Sequence, residues 1–189
     1  MTRAFRQQID QGILDRAAGL FARYGFSQTS VQAVADAVGM SKAGLLHYFP
    51  SKEALREAVL ERAQSLEQEV LDQVAELPLG AARDRLALET LVDQALARPG
   101  LVAFSLGVVA AQDGEALRVD GDGVNGAILQ AFGIAADTGA DRRLRVIGAL
   151  GALSVLVLIV HHSGKSTAWR PHVIATSFDA LGHVRTDGG

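Results

Sequence analysis

Phe5, Ile9, Ile13, Ala17, Leu20 and Phe21 follow one another at three- and four-residue steps, the spacing of one face of an α-helix. The step recurs from Leu55 through Val59, Ala63, Leu66 and Val70 to Val74, and again through Leu88, Leu91, Val92 and Ala95. These stripes predict helices over 3–24, 52–75 and 81–97. Each is closed by a breaker: Tyr24-Gly25, then Leu77-Pro78-Leu79-Gly80, then Arg98-Pro99-Gly100. Leu101 to Gln112 predicts a short helix without a charged residue. Glu115 to Ile134 predicts another, weakened by Gly121, Gly123 and Gly126, each costing about 1 kcal/mol against alanine. Asp141 to His162 is the most apolar stretch, and 167–181 completes an all-α chain.

Between the first two long stripes lies a stretch of short-range signals, Thr29 to Lys52. Thr29 is an N-cap residue, and Gln32 three positions on completes a capping box. Val31, Val34, Ala35 and Val38 give one apolar face. Gly39 comes next, where a helix closes in the left-handed conformation. Ser41 is the next N-cap. Lys42 to Phe49 predicts a second short helix with Leu45 and Phe49 inward, stopped by Pro50, and Ser51 caps the long helix from Lys52. Helix, glycine turn, helix is the plan in which the second helix enters the DNA major groove.

Charge changes the picture more than length does. The 189 residues carry a net −3, but residues 1–52 hold six Lys or Arg against three Asp, a net of +3 on an acidic remainder. A basic head on an acidic body fits a DNA reader with a separate regulatory part; a chance surplus of three charges gives the same count. With no cysteine, disulfides and Cys-based zinc sites are excluded. Met1 to Asp10 has no apolar run of the kind a signal peptide needs, so a cytoplasmic protein is expected.

Ile13-Leu14, Ala17, Leu20-Phe21, Gly25, Thr29-Ser30-Val31, Val34-Ala35, Gly39, Ser41-Lys42, Leu45 and Phe49-Pro50-Ser51-Lys52-Glu53-Ala54-Leu55 together resemble the N-terminal domain of the TetR family of bacterial transcriptional repressors. The resemblance covers roughly residues 10–56 and departs from the family at Leu46, where a Tyr is usual, so that Tyr's contact does not carry over. It implies a three-helix helix-turn-helix domain over residues 1–52, joined to a helical ligand-binding and dimerisation domain over 53–184; the tail at 185–189 is expected to be disordered, as chain ends commonly are. It implies DNA contacts at Thr29, Ser30, Ser41, Lys42, Ala43, Leu46, His47, Tyr48 and Lys52. Lys42 suits guanine or a phosphate, Ala43 and Leu46 suit thymine methyls, and the others suit phosphate oxygens. Taken singly, Ser41 serves as well as a cap, Tyr48 as partial core and His47 as a solvated side chain. Arg3 and Arg6 reach phosphates or stand free in solvent.

The resemblance also pairs the last two helices with those of a second subunit. The small residues Gly148, Gly151 and Ala152, with Val155 and Ile159, are the expected dimer interface. A membrane span is disfavoured because the uncharged run Val146–Val160 is shorter than the ~20 residues a bilayer needs. A ligand pocket is expected between the body helices, lined by Leu101, Phe104, Val108, Leu129 and Phe132, with Ser105, Gln112 and Asn125 as orienting groups. Such walls suit a neutral, mostly apolar molecule; an ordinary closed core has the same composition.

Catalysis finds no foothold. No Ser-His-Asp arrangement or phosphate loop is recognisable. His161 and His162 are adjacent and diverge on a helix, so no metal or other cofactor is expected. Asp120-Gly121-Asp122-Gly123 opens like a calcium loop but has Asn125 at its sixth position and Ala131 at its twelfth. The expected protein is a dimeric regulator, most simply a repressor, that leaves a palindromic operator when a small molecule binds. A regulator answering to a protein partner, and a helical interaction module that has lost DNA binding, are the rivals.

Overall fold

A computed structural model describes residues 3–111, 126–163 and 166–183, with side chains over 11–105, 126–161 and 167–183. The helices are α1 (Arg3–Tyr24), α2 (Val31–Ala37), α3 (Lys42–Tyr48), α4 (Lys52–Val74), α5 (Ala81–Ala97), α6 (Pro99–Ala111), α7 (Gly126–Ala131), α8 (Ala140–Ser163) and α9 (Ser166–Ala180). The described residues are all-α, with an N-terminal helical cluster and a C-terminal helical bundle.

Two cores form, and α4 belongs to both. Leu55, Val59, Ala63 and Leu66 pack with Ile13, Ala17 and Phe21 of α1, Val34 and Ala35 of α2, and Leu45 of α3. Val70 and Val74, further along the same stripe, pack with α5, α7, α8 and α9. The nineteen-residue step from Leu55 to Val74 is about 28 Å of helix.

The local signals act much as expected, with instructive differences. Gly39 sits at φ 69. Its N–H donates to Asp36 O at 3.2 Å and that of Met40 to Ala35 O at 2.9 Å, a pair of bonds that closes α2. Ser41 and Ser51 cap α3 and α4, each hydroxyl accepting from the N–H three residues on at 3.0 Å. The cap of α2, however, is Ser30 and not Thr29. Its Oγ accepts from Ala33 N at 3.0 Å, and Gln32 reaches forward to Asp36, so no Thr29–Gln32 capping box exists. α6 starts at Pro99, one residue after α5 has ended, because proline suits a first helical turn. The helix expected to run to Ile134 ends at Ala131, where Gly133 at φ 69 lets Ile134 N donate to Leu129 O. The residues before Gly126, with the calcium-like stretch, lie outside the described set. α8 is 24 residues long, and its Ala140–His161 segment is long and apolar enough to cross a membrane by length and composition. The shortness of its uncharged run is therefore no argument against a span. In the structure Val146, Ala149, Leu153, Val157 and Val160 bury one side of it in the body core.

Two polar joints set how the helices meet. Arg83, in the first turn of α5, is buried. Its guanidinium donates to Val74 O (2.9 Å) and Leu77 O (2.8 Å) at the end of α4, and to Ala131 O (2.8 Å) and Gln130 O (3.4 Å) at the end of α7. One cation thus joins carbonyls at the C-terminal ends of two helices, where a positive charge is favoured. Beside it Asp84, 1% exposed, accepts from Arg142 at 2.7 Å and from His183 Nε2 at 2.6 Å, tying the starts of α5 and α8 to the chain just past α9. The second joint links α1 to α6. Asp15 Oδ1 accepts from Leu101 N at 3.0 Å. Burial pushes the Asp15 carboxyl above its usual 3.8, against the opposing pull of the Leu101 and Gly100 N–H groups. The helices approach so closely that a Cβ on Gly100 would lie 1.9 Å from Asp15 O.

Replacing Arg83 by Met, of similar reach but without donors, is expected to cost at least about 3 kcal/mol in urea unfolding, since several buried carbonyls lose their partner. Asp15→Asn tests the other joint through pH. A raised native pKa means the native state holds the proton more tightly than the unfolded chain, so this group's contribution to stability falls as pH rises from 3.8 through the raised value. The difference in unfolding free energy between wild type and Asp15→Asn should therefore change across that window; parallel curves would show that the carboxyl is not buried in solution.

Candidate nucleic-acid interface

The head presents one face of α3. Leu45 is fully buried and holds the helix down, while Tyr48 and Phe49 pack part-buried against the same core. Lys42, Ala43 and His47 are exposed and Leu46 is half-buried. Positions 42, 43, 46 and 47 share one side of a helix, so the expected base-reading residues do come together. Ser41, at the N-terminal end of that face, is exposed although its Oγ is engaged by Gly44 N. Tyr48 turns its ring edge-on to His47 at 6.0 Å.

Ser30 is exposed at the start of α2. Thr29 is not available in the same way. It is 3% exposed, and its hydroxyl donates to Gly25 O at 2.8 Å with Leu20 O at 3.3 Å. It ties the α1–α2 loop to the end of α1. Lys52 also has an internal role: Nζ donates to Ser27 O at 3.4 Å and lies 4.2 Å from the centroid of the Phe26 ring. Arg56, one turn later, lies over the same ring at 5.5 Å. Phe26 and Arg56 were not anticipated from sequence, although Lys52 and Arg56 at i, i+4 are the signal for two cations on one helix face. The side chains of Arg3 and Arg6 lie outside the described set.

The expected pocket residues divide between the two cores. Leu101 and Phe104 pack in the head core beside Ala17 and Phe21, the Phe104 and Phe21 rings 6.4 Å apart. Leu129 and Phe132 pack in the body core. The division follows from α6 beginning against α1. Ser105 is buried; Gln112 and Asn125 lie outside the described residues, as does the side chain of Val108. Glu67, on the inner side of α4, is a buried carboxylate that the apolar stripe concealed. Among the described residues no three His, Asp or Glu side chains gather as a metal site.

The profile of the family described as bacterial regulatory proteins, tetR family, matches residues 13–59, the span that forms the helix-turn-helix and its supports. Residues 13–59 are a TetR-family helix-turn-helix domain. Among curated proteins, the HTH-type transcriptional regulator RutR of Escherichia coli K12 is 36% identical over 86 residues, 44% of this chain and 41% of RutR. The HTH-type transcriptional repressor KstR2 of Rhodococcus jostii is 34% identical over 80 residues, 42% of this chain and 38% of KstR2. The chain thus spans about two fifths of the length of the curated relatives it matches. A TetR-like transcriptional regulator from Rhodococcus sp. RHA1 shares the fold across both parts, covering 97% of this chain and 100% of its own at a TM-score of 0.54 and 22% identity.

Thr29→Val keeps the shape of the buried side chain and removes its hydroxyl. It should lower stability by about 1–2 kcal/mol and leave the salt dependence of DNA binding unchanged. A smaller salt slope in this variant would return Thr29 to the phosphate contacts.

Proposed function

We propose that this chain is a ligand-responsive transcriptional repressor that binds a palindromic operator as a homodimer in the cytoplasm. The observation that carries the DNA reading is the bare α3 face of Lys42, Ala43, Leu46 and His47, pinned from behind by Leu45 and flanked by exposed Ser30 and Ser41. Lys42 is placed to donate to a guanine edge or phosphate, and Ala43 and Leu46 to meet thymine methyls. Ser30, Ser41, His47, Tyr48 and Lys52 are assigned to the backbone, where contacts fix register.

Dimerisation is supported by the side of α8 that the body leaves uncovered. Leu144, Val155, Leu158 and Ile159 are exposed, Val155 at 59% and Ile159 at 51%. Gly148 and Gly151 are exposed on the same side, and a Cβ on either would meet nothing within 4 Å. Ala152 is half-buried at its edge. A contiguous apolar face of this kind marks a surface that is covered in the working protein. A second copy places two heads rigidly on two half-sites, which binding to a palindrome demands.

Release by a small molecule is the regulatory half of the proposal. The body core of Leu129, Phe132 and their neighbours is apolar, which favours a neutral, mostly apolar effector. Repression as the direction of control is supported by likeness to KstR2, a named repressor. A protein partner in place of the effector is the alternative; a compound screen for operator release separates the two.

Selection from a random duplex pool should return an inverted repeat whose half-sites lie about one helical turn apart, or a multiple of it; failure to enrich any inverted repeat would refute the reading. Gly151→Arg starts in open space, since a Cβ at this position meets nothing within 4 Å inside its own subunit. It should therefore fold, sediment as a monomer and lose operator binding. A dimeric Gly151→Arg protein would put the interface elsewhere.

A further inference from the structure

Lys52 and Arg56 stand one turn apart in the first two turns of α4, on one side of the helix. This is an unfavourable place for them. Like charges at this spacing repel, and the N-terminal end of a helix carries the positive end of its dipole. Neither cation is paired with a carboxylate among the described residues. What holds them is an aromatic face: Lys52 Nζ at 4.2 Å and Arg56 Cζ at 5.5 Å from the centroid of the Phe26 ring. The Ser27 carbonyl accepts from Lys52 Nζ at 3.4 Å. Phe26 is in turn fixed by edge-on contact with buried Phe21, 5.5 Å between centroids.

An ammonium has three donors and a guanidinium five. One carbonyl and one ring face leave most of these directed outward. A free lysine loses rotamer entropy on immobilisation; here much of that loss is incurred before any ligand arrives. The cations are thus held together and oriented, with no carboxylate pairing them among the described residues, which is the arrangement that binding an anion needs. We infer that the Phe26 ring and Ser27 carbonyl hold Lys52 and Arg56 as a preformed two-cation seat for one phosphate of the DNA backbone, with Phe26 a positioning residue that acts through both. The inference rests on the DNA-binding reading given above. It adds Arg56 to the phosphate contacts and gives Phe26 a task beyond packing. A backbone contact carries no sequence information, so the seat raises affinity for all duplexes alike.

The test is a double-mutant cycle on duplex affinity measured across salt concentrations, with the selected operator and an unrelated duplex. Lys52→Gln/Arg56→Gln should lower the salt slope by about 0.9 per head, one phosphate's worth, on both duplexes. Phe26→Leu should weaken binding roughly tenfold for the dimer, with the slope kept, because the cations are still present but no longer held. In the Lys52→Gln/Arg56→Gln background Phe26→Leu should change affinity less than about twofold, since the ring then has nothing to orient. Phe26→Tyr, which keeps a negative ring face, should restore wild-type affinity. Should Phe26→Leu unfold the head, pentafluorophenylalanine at position 26 preserves the shape and reverses the quadrupole, and the same tenfold loss is expected. Equal losses in both backgrounds, or a slope unchanged by Lys52→Gln/Arg56→Gln, overturn the seat while leaving the DNA reading intact. A wild-type protein that binds neither duplex overturns both.

Discussion

One continuous apolar stripe on α4 is shared by two cores, and the remaining packing is arranged around that fact. Leu55 to Leu66 anchors the head, and Val70 and Val74 anchor the body. A helix of 23 residues transmits position along its whole length, because its backbone bonds run unbroken from Ser51 to Ala75. Neither core is large alone. The two short helices of the reading head cannot bury enough surface to stay folded by themselves; α1 and α4 supply the rest. The far end of α4 is fixed by Arg83, whose donors reach its final carbonyls and those of α7 together. The rod thus has a cap of Ser51 at one end and a guanidinium at the other.

What was legible in the sequence was what local chemistry decides. The stripes located the long helices, and Gly39, Ser41, Pro50 and Ser51 located the reading unit, because each of these acts within four residues of itself. Thr29 shows the limit. Thr and Ser are both N-cap residues, and sequence alone does not say which of two adjacent hydroxyls faces the core. Thr29 is the buried one, its methyl tolerated among apolar neighbours and its hydroxyl spent on Gly25 O, which leaves Ser30 as the cap.

That the expected pocket residues divide between two cores was hidden for a different reason. Periodicity assigns a face to a residue but not a partner to that face. Leu101 and Phe104 look like body residues because they come after α5, yet they pack under α1. Arg83, Asp84 and Glu67 escaped attention because a charged residue between apolar ones reads as solvent-facing. Arg83 and Asp84 are buried because their partners, the carbonyls of α4 and α7 for one and Arg142 with His183 for the other, arrive from up to about a hundred positions away. No window of sequence contains such a contact.

The placement of α6 bears on how a change in the body reaches the head. Its first residues belong to the head core, and its N-terminal N–H groups are held by Asp15 of α1. Gly100 leaves no room between the two helices. A displacement of α6 must then either carry α1 with it or break the Asp15–Leu101 bond and expose Leu101 and Phe104 to water. The second course costs the burial of two large apolar side chains, about 3–6 kcal/mol in all, beyond the loss of the charged hydrogen bond. The first costs only whatever resists movement of α1, and α1 packs against α2, which in turn packs against α3. Head and body are therefore coupled through two connections, α4 along its length and α6 at its start. A rotation of the head about α4 alone is opposed by the second connection, α6 against α1.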